Sequence, residues 1–200
     1  MPTLRHRFAF AALAVLLAAC ASKGPTQAHF DFGPLPQAPA VTSTAIAPLI
    51  VADMTGPASL DSERMQYRLL YADARQLRPY AYNQWTATPL QLLTQRLKAR
   101  IAQAGVKVLA TTDAAAGAML LRTELDDFAH NFDSATASQG TITLRASVFA
   151  AHHLVDQKSF TRSVAAPTAD AAGGARALAD AADALSGDLL AWLATLPAPK

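Results

Sequence analysis

The alternation of apolar and polar positions divides the chain into elements. Leu90, Leu93, Leu97, Ile101 and Ala104 recur at helical spacing and form one stripe, while Gln91, Gln95, Lys98 and Arg100 lie off it, the signature of an amphipathic helix. Thr88 starts that helix as N-cap, Pro89 takes its first position and Gly105 caps its end. Leu92 falls off the stripe and reads as a scattered surface leucine. Two stretches follow a period of two instead. Met119, Leu121, Thr123 and Leu125 alternate with Leu120, Arg122, Glu124 and Asp126, and Ile142, Leu144, Ala146 and Val148 alternate with Thr141, Thr143, Arg145 and Ser147. Both predict strands with one buried face, paired antiparallel. The polar segment 129–139 reads as a mobile loop, and a turn near Asp156-Gln157 returns a last strand over 159–164. Segments 65–71 and 77–85 are extended and joined by a hairpin-length connection, so they pair. An apolar strand covers 44–52, with Pro48 at a bulge or edge, and 29–32 and 106–109 are short strands. From Asp170 onward Leu178, Ala182, Leu185, Leu189, Trp192, Leu193 and Leu196 share one arc opposite Asp180, Asp183 and Gly187. This closing helix is weakened at its first turn by Gly173-Gly174 and ended by Pro197. The expected fold is α+β: a mostly antiparallel β-sheet with two amphipathic helices packed on one face, an α/β sandwich in a single domain.

The N-terminus follows a different rule. Arg5, His6 and Arg7 precede an apolar run from Phe8 to Leu17, which is too short to span a bilayer and has the layout of an export signal. Leu17-Ala18-Ala19-Cys20 resembles the lipobox of bacterial lipoproteins, in which cleavage exposes a diacylglycerol-bearing cysteine. Residues 1–19 are then a lipoprotein signal peptide, 20–28 the lipidated Cys20 with a flexible tether, and 29–196 the folded domain. Two or more acyl chains, palmitate among them, anchor a protein stably without a transmembrane helix. Ala21 stands where an inner-membrane retention signal would place Asp, so the expected location is the outer membrane, facing the periplasm.

Composition narrows the chemistry further. At 52% hydrophobic and 16% charged the chain suits one globular domain,. Its single cysteine excludes a disulfide framework and any multi-thiolate metal site,. Lys plus Arg number 17 against 15 Asp plus Glu, and the first nineteen residues hold Arg5 and Arg7 but no acid; the remainder is neutral, with no field for nucleic acid. Neither a phosphate-binding loop, nor a dinucleotide fingerprint, nor a nucleophile elbow is present. His152-His153 are adjacent, so on a strand they point to opposite faces and do not chelate one ion; His29 and His130 have no ligand-like spacing. Glu124, Asp126 and Asp127 read as solvated charges rather than an acid/base pair. No catalytic residue, metal or cofactor is expected, and the protein is read as not an enzyme. One feature stands out: all four tyrosines (Tyr67, Tyr71, Tyr80, Tyr82) and Trp85 lie on the two paired strands within nineteen residues. They form either a partner-binding patch or the packing beneath the first helix.

Phe30-Asp31-Phe32-Gly33-Pro34-Leu35-Pro36 after a lipobox, then Met65-Gln66-Tyr67-Arg68-Leu69, then Tyr80-Ala81-Tyr82-Asn83-Gln84-Trp85 before Pro89 and a helix, and finally an Ala-rich helix with Leu185-Ser186 resemble the ABC-type transport auxiliary lipoproteins, the PqiC-like group. The resemblance implies an envelope lipid-transport system, in which an inner-membrane permease and ATPase work with an MCE-domain periplasmic protein. This chain would be its outer-membrane partner, with phospholipid as a further candidate contact and a homo-oligomer expected by analogy. Only Cys20 carries over as a functional residue. The rival reading is an assembly factor or plug for an outer-membrane β-barrel.

Overall fold

The computed structural model describes residues 26–37, 46–113 and 117–197. Eight strands, β1 (Ala28–Phe30), β2 (Leu49–Val51), β3 (Arg64–Leu69), β4 (Leu77–Trp85), β5 (Val108–Leu109), β6 (Met119–Phe132), β7 (Ser138–Ala150) and β8 (His153–Ala165), form one open sheet. Helices α1 (Pro89–Gln103) and α2 (Ala171–Leu193) complete the α+β fold. Strand β6 is the spine. It pairs with β7 along nearly its whole length, and β7 with β8, all antiparallel. Its other edge is shared in tandem by two parallel partners, β2 beside residues 119–121 and β3 beside residues 130–132. Strands β4 and β1 extend the sheet beyond β3, and β5 extends it beyond β2. The long ladders are antiparallel as the alternation predicts; the short parallel ladders make the sheet mixed.

Both helices cover one face, α2 against β6, β7 and β8, and α1 against α2. The first helix begins as its residues dictate: Thr88 accepts from the Gln91 amide while the Gln91 side chain accepts from the Thr88 amide, a reciprocal capping box with Pro89 at the first position,. The predicted stripes of both helices lead into the core, where Leu93, Leu97, Ile101, Leu178, Leu185 and Leu189 are buried.

Several expectations are corrected. The long apolar strand over 44–52 is only β2, with Pro48 just ahead of it and 44–45 outside the described residues. Leu92 is buried, because the segment Asp31–Leu35 lies across that side of α1. Arg96, one turn further on, donates to the carbonyls of Phe32 and Gly33 at 3.2 and 3.1 Å. Asp183 does not face solvent: it bridges the helices, accepting from Arg96 Nε at 2.7 Å and Arg100 Nε at 2.8 Å. The hydrogen bonds from Arg100 and Arg96 hold its carboxyl below the usual range although burial alone would raise it,. A burial pattern cannot reveal this, since two arginines on one helix and an aspartate on another become partners only when the helices cross.

The segment 129–139 is not a mobile loop. Strand β6 runs on to Phe132 and β7 starts at Ser138, leaving only residues 133–137 as the turn. An extra residue, Asp126, sits between the rungs Leu125–Leu144 and Asp127–Thr143. That bulge resets the alternation so that Phe128, His130 and Phe132 follow Leu125 onto the helix face. Nor is there a turn at Asp156-Gln157. The β7–β8 hairpin closes five residues earlier through Ala151 and His152, both left-handed at φ 46° and 66°, which is the backbone a two-residue hairpin loop requires.

Candidate partner interface

The β3–β4 hairpin places the five aromatic residues in three environments. Trp85 is 1% exposed and meets Phe32 and Phe128 edge-on at 5.9 and 5.5 Å between ring centroids; it anchors the core and offers nothing to a partner. Tyr67 and Tyr80 are half-buried and pack together at 4.7 Å. Tyr71, at the hairpin turn, is 54% exposed, and Tyr82 is 52% exposed. Period-two alternation would put Tyr80 and Tyr82 in equivalent positions. However, the ladder steps from Arg64–Gln84 to Gln66–Pro79, so five residues of β4 span what two of β3 span, and this wide bulge separates their environments. The tyrosine stretch is therefore split between packing and surface. Tyr71 and Tyr82, with Leu70 at 36% exposed beside Tyr71, are the part available for contact.

Beneath the start of α2 lies a polar cluster that the sequence reading passed over. His130 is fully buried; its Nδ1 is 2.8 Å from the Tyr80 hydroxyl, and its ring lies 4.4 Å from that of Phe132. Burial lowers the imidazole pKa to about 4, with Asp170 opposing the shift in part. Burial also raises the Tyr80 hydroxyl, followed by the charges of Tyr67 and Asp170,. Both groups are neutral at pH 7. Asp170 caps α2 by accepting from the Gly173 amide at 2.8 Å and from the Thr168 hydroxyl at 2.9 Å. A β-carbon on Gly174 would lie 2.3 Å from His130 Nδ1, and one on Gly140 would lie 2.6 Å from the Leu178 amide nitrogen. Glycine at these two positions lets helix and sheet approach at backbone distance. His130 is thus a packing and hydrogen-bonding element rather than a base open to solvent. Its sequence signal was the run Phe128, His130, Phe132, a two-residue period that resumes out of phase with Met119 to Leu125 through residues whose polarity suggests a loop.

The remaining candidates are dispersed. Glu124 pairs with Arg145 on the neighbouring strand, and Asp127 receives both Arg68 terminal nitrogens at 3.0 and 2.8 Å. Asp126 is exposed at the bulge, His152 lies in the turn, and His29 and His153 are exposed on their strands. Among the described residues no group of three or more His, Cys, Asp or Glu could hold a metal ion, and no helix is long and apolar enough to cross a membrane. Cys20 lies outside the described residues.

The model of the family described as ABC-type transport auxiliary lipoprotein component matches residues 32–189. The chain belongs to this family. As an auxiliary lipoprotein it has a transport-associated role, and the matched region runs from the aromatic core residue Phe32 to Leu189 near the end of α2. Its fold is shared with a crystal structure of a Xanthomonas campestris protein of family DUF330, at TM-score 0.65 and 20% identity over 84% of this chain and 91% of that one. A second crystal structure, of an uncharacterized protein, gives TM-score 0.68 and 16% identity over 84% and 99%. At these identities the likeness concerns the fold. No curated protein matches the chain.

Proposed function

We propose that this auxiliary lipoprotein is the outer-membrane component of an MCE/ABC-type intermembrane lipid transport system. It is anchored through acylated Cys20 and docks the MCE-domain periplasmic protein that works with the inner-membrane permease and ATPase. The observation that carries the reading is the family match over residues 32–189. The exposed Tyr71 and Tyr82 support it: rings with an apolar body and a polar tip suit a protein interface,. We read the role as non-catalytic, a reading supported by the pairing of Glu124 and Asp127 with arginines and the enclosure of His130,.

The test is crosslinking in intact cells, purification through a tag placed after Lys200, and mass spectrometry of the captured proteins, with Cys20→Ala as control. Capture of an MCE-domain protein that weakens in a Tyr71→Ala, Tyr82→Ala double variant is the expected result. Capture of an outer-membrane β-barrel alone would replace the transport reading with an assembly-factor role.

A further inference from the structure

The anchored end of the chain enters the fold on the strand beside Tyr82. Strand β1 pairs parallel with β4, Ala28 opposite Asn83 and Phe30 opposite Trp85. The Phe30 carbonyl accepts from the Thr86 amide at 2.8 Å, so Phe30 and, two residues earlier, Ala28 turn their backbone groups towards β4. Because β1 runs with β4, away from the β3–β4 turn, the residues before Ala28 approach from the side of that turn.

The segment after β1 is fastened by more than three rungs. Phe32 is buried against Trp85 and Phe128. Arg96 donates to the carbonyls of Phe32 and Gly33, while Arg100 and Gln103 donate to that of Pro36 at 3.3 and 3.0 Å. Asp183 holds both guanidiniums in place, so that their other N–H groups are aimed at these carbonyls. Residues 28–36 thus form an arm clamped across α1 by side chains of the helix layer.

Cys20 lies eight residues before Ala28, a span of at most about 29 Å. The β3–β4 turn begins within about 20 Å of Ala28, along β4 from Asn83 to Leu77, on the side from which the chain enters,. The β7–β8 turn lies the opposite way, about 30 Å along the strands,. Seating the first turn on the bilayer uses part of the available span in its own direction. Seating the second would need all of it, reversed.

We infer that the arm 28–36 is an orienting clamp: it fixes the exit of the lipid anchor beside Tyr82 and turns the β3–β4 hairpin towards the membrane, so that a protein partner meets Tyr71 and Tyr82 next to the bilayer. Arg96, Arg100, Gln103 and Asp183 are its positioning residues. The inference rests on the docking reading and on acylated Cys20, and adds the geometry in which the partner is met. Without the clamp the anchor would hang from a longer chain leaving at the helix layer, and the orientation would be lost.

The test reconstitutes the full acylated lipoprotein in phosphatidylethanolamine–phosphatidylglycerol vesicles that carry a rhodamine head-group acceptor. Cys20 is blocked by its own lipid, so a donor dye goes singly onto Ala74→Cys in the β3–β4 turn or His153→Cys beside the β7–β8 turn. Energy transfer several-fold greater from position 74 than from position 153 is expected. Inserting about twenty Gly and Ser residues after Lys23, ahead of the folded domain, should make the two equal. The Ala28→Pro, Gln103→Ala double variant removes one edge amide and one surface hydrogen bond; it should do the same with a melting midpoint near that of the wild type. If this variant unfolds, the insertion alone decides. Equal transfer in the wild type, greater transfer from position 153, or a difference that survives the insertion or the folded double variant would overturn the clamp. So would a wild-type protein released from the vesicles as readily as Cys20→Ala, which removes the anchor itself. Equal transfer with MCE capture intact would remove only this inference. A preserved difference, with capture unaffected by the Tyr71→Ala, Tyr82→Ala double variant, would remove the docking site and leave the orientation standing.

Discussion

Gly174→Ala reverses an ordinary rule. In an exposed helix interior, replacing Gly by Ala stabilises by about 1 kcal/mol. Here the new methyl would sit 2.3 Å from Nδ1, 2.5 Å from Cγ and 2.7 Å from Cε1 of His130. The imidazole cannot swing aside, since it is fully buried, bonded to Tyr80 and packed on Phe132. The helix cannot lift freely either, because Leu178, one turn further on, rests on Gly140. Overpacking at a site that resists relaxation costs up to about 3 kcal/mol. Subtracting the helix gain leaves a net loss of about 2 kcal/mol, or a melting midpoint lower by about 4–8 °C for a domain of this size. Thermal and urea unfolding of the purified mature protein, followed by circular dichroism, reads this directly. A double-mutant cycle isolates the cause: in a His130→Ala background the ring is gone, and Gly174→Ala should become stabilising, a coupling of about 3 kcal/mol. Should Gly174→Ala equal or exceed the wild type in stability, or cost the same with and without His130, the reading of this contact is wrong.

Asp183→Ala leaves Arg96 and Arg100 facing each other without their shared carboxylate; unfolding in denaturant should show a loss of about 3 kcal/mol. The pH dependence of stability should carry a signature of His130. Its folded pKa, about 4, lies below the unfolded 6.5, so the unfolded chain binds the extra proton. Stability therefore falls as pH drops from 6.5 towards 4 and is insensitive to this group below that; melting curves of His130→Asn across the window should be flatter than those of the wild type. The hairpin tip predicts the opposite sign of mutation. Ala151→Asn with His152→Gly suits the two positive φ values and should raise stability by about 1–2 kcal/mol, visible as a higher melting midpoint.

The exposed tyrosines and the buried histidine were legible to different degrees. That Tyr67 to Trp85 form an aromatic hairpin follows from local pattern. Which rings face solvent does not, because a wide bulge in β4 alters the alternation and Phe32 and Phe128 arrive from distant segments to cover Trp85. Polarity made His130 and Asn131 look like loop residues, yet backbone pairing with β7 keeps both in the strand, and the cover of a glycine-bearing helix turn encloses His130.

What the sequence determined by itself was whatever depends on neighbours along the chain: the capped first helix, the alternating strands, the apolar arc of the closing helix, and the Cys20 motif. The tertiary structure alone decided the parallel partners of β6, the Arg96–Asp183–Arg100 bridge, and the burial of Leu92 and His130. The physical reason is common to all of these. Helical and strand periodicity is set by local backbone geometry, whereas pairing, burial and charge compensation arise between residues tens of positions apart, and a one-residue bulge is enough to turn a side chain from one face to the other.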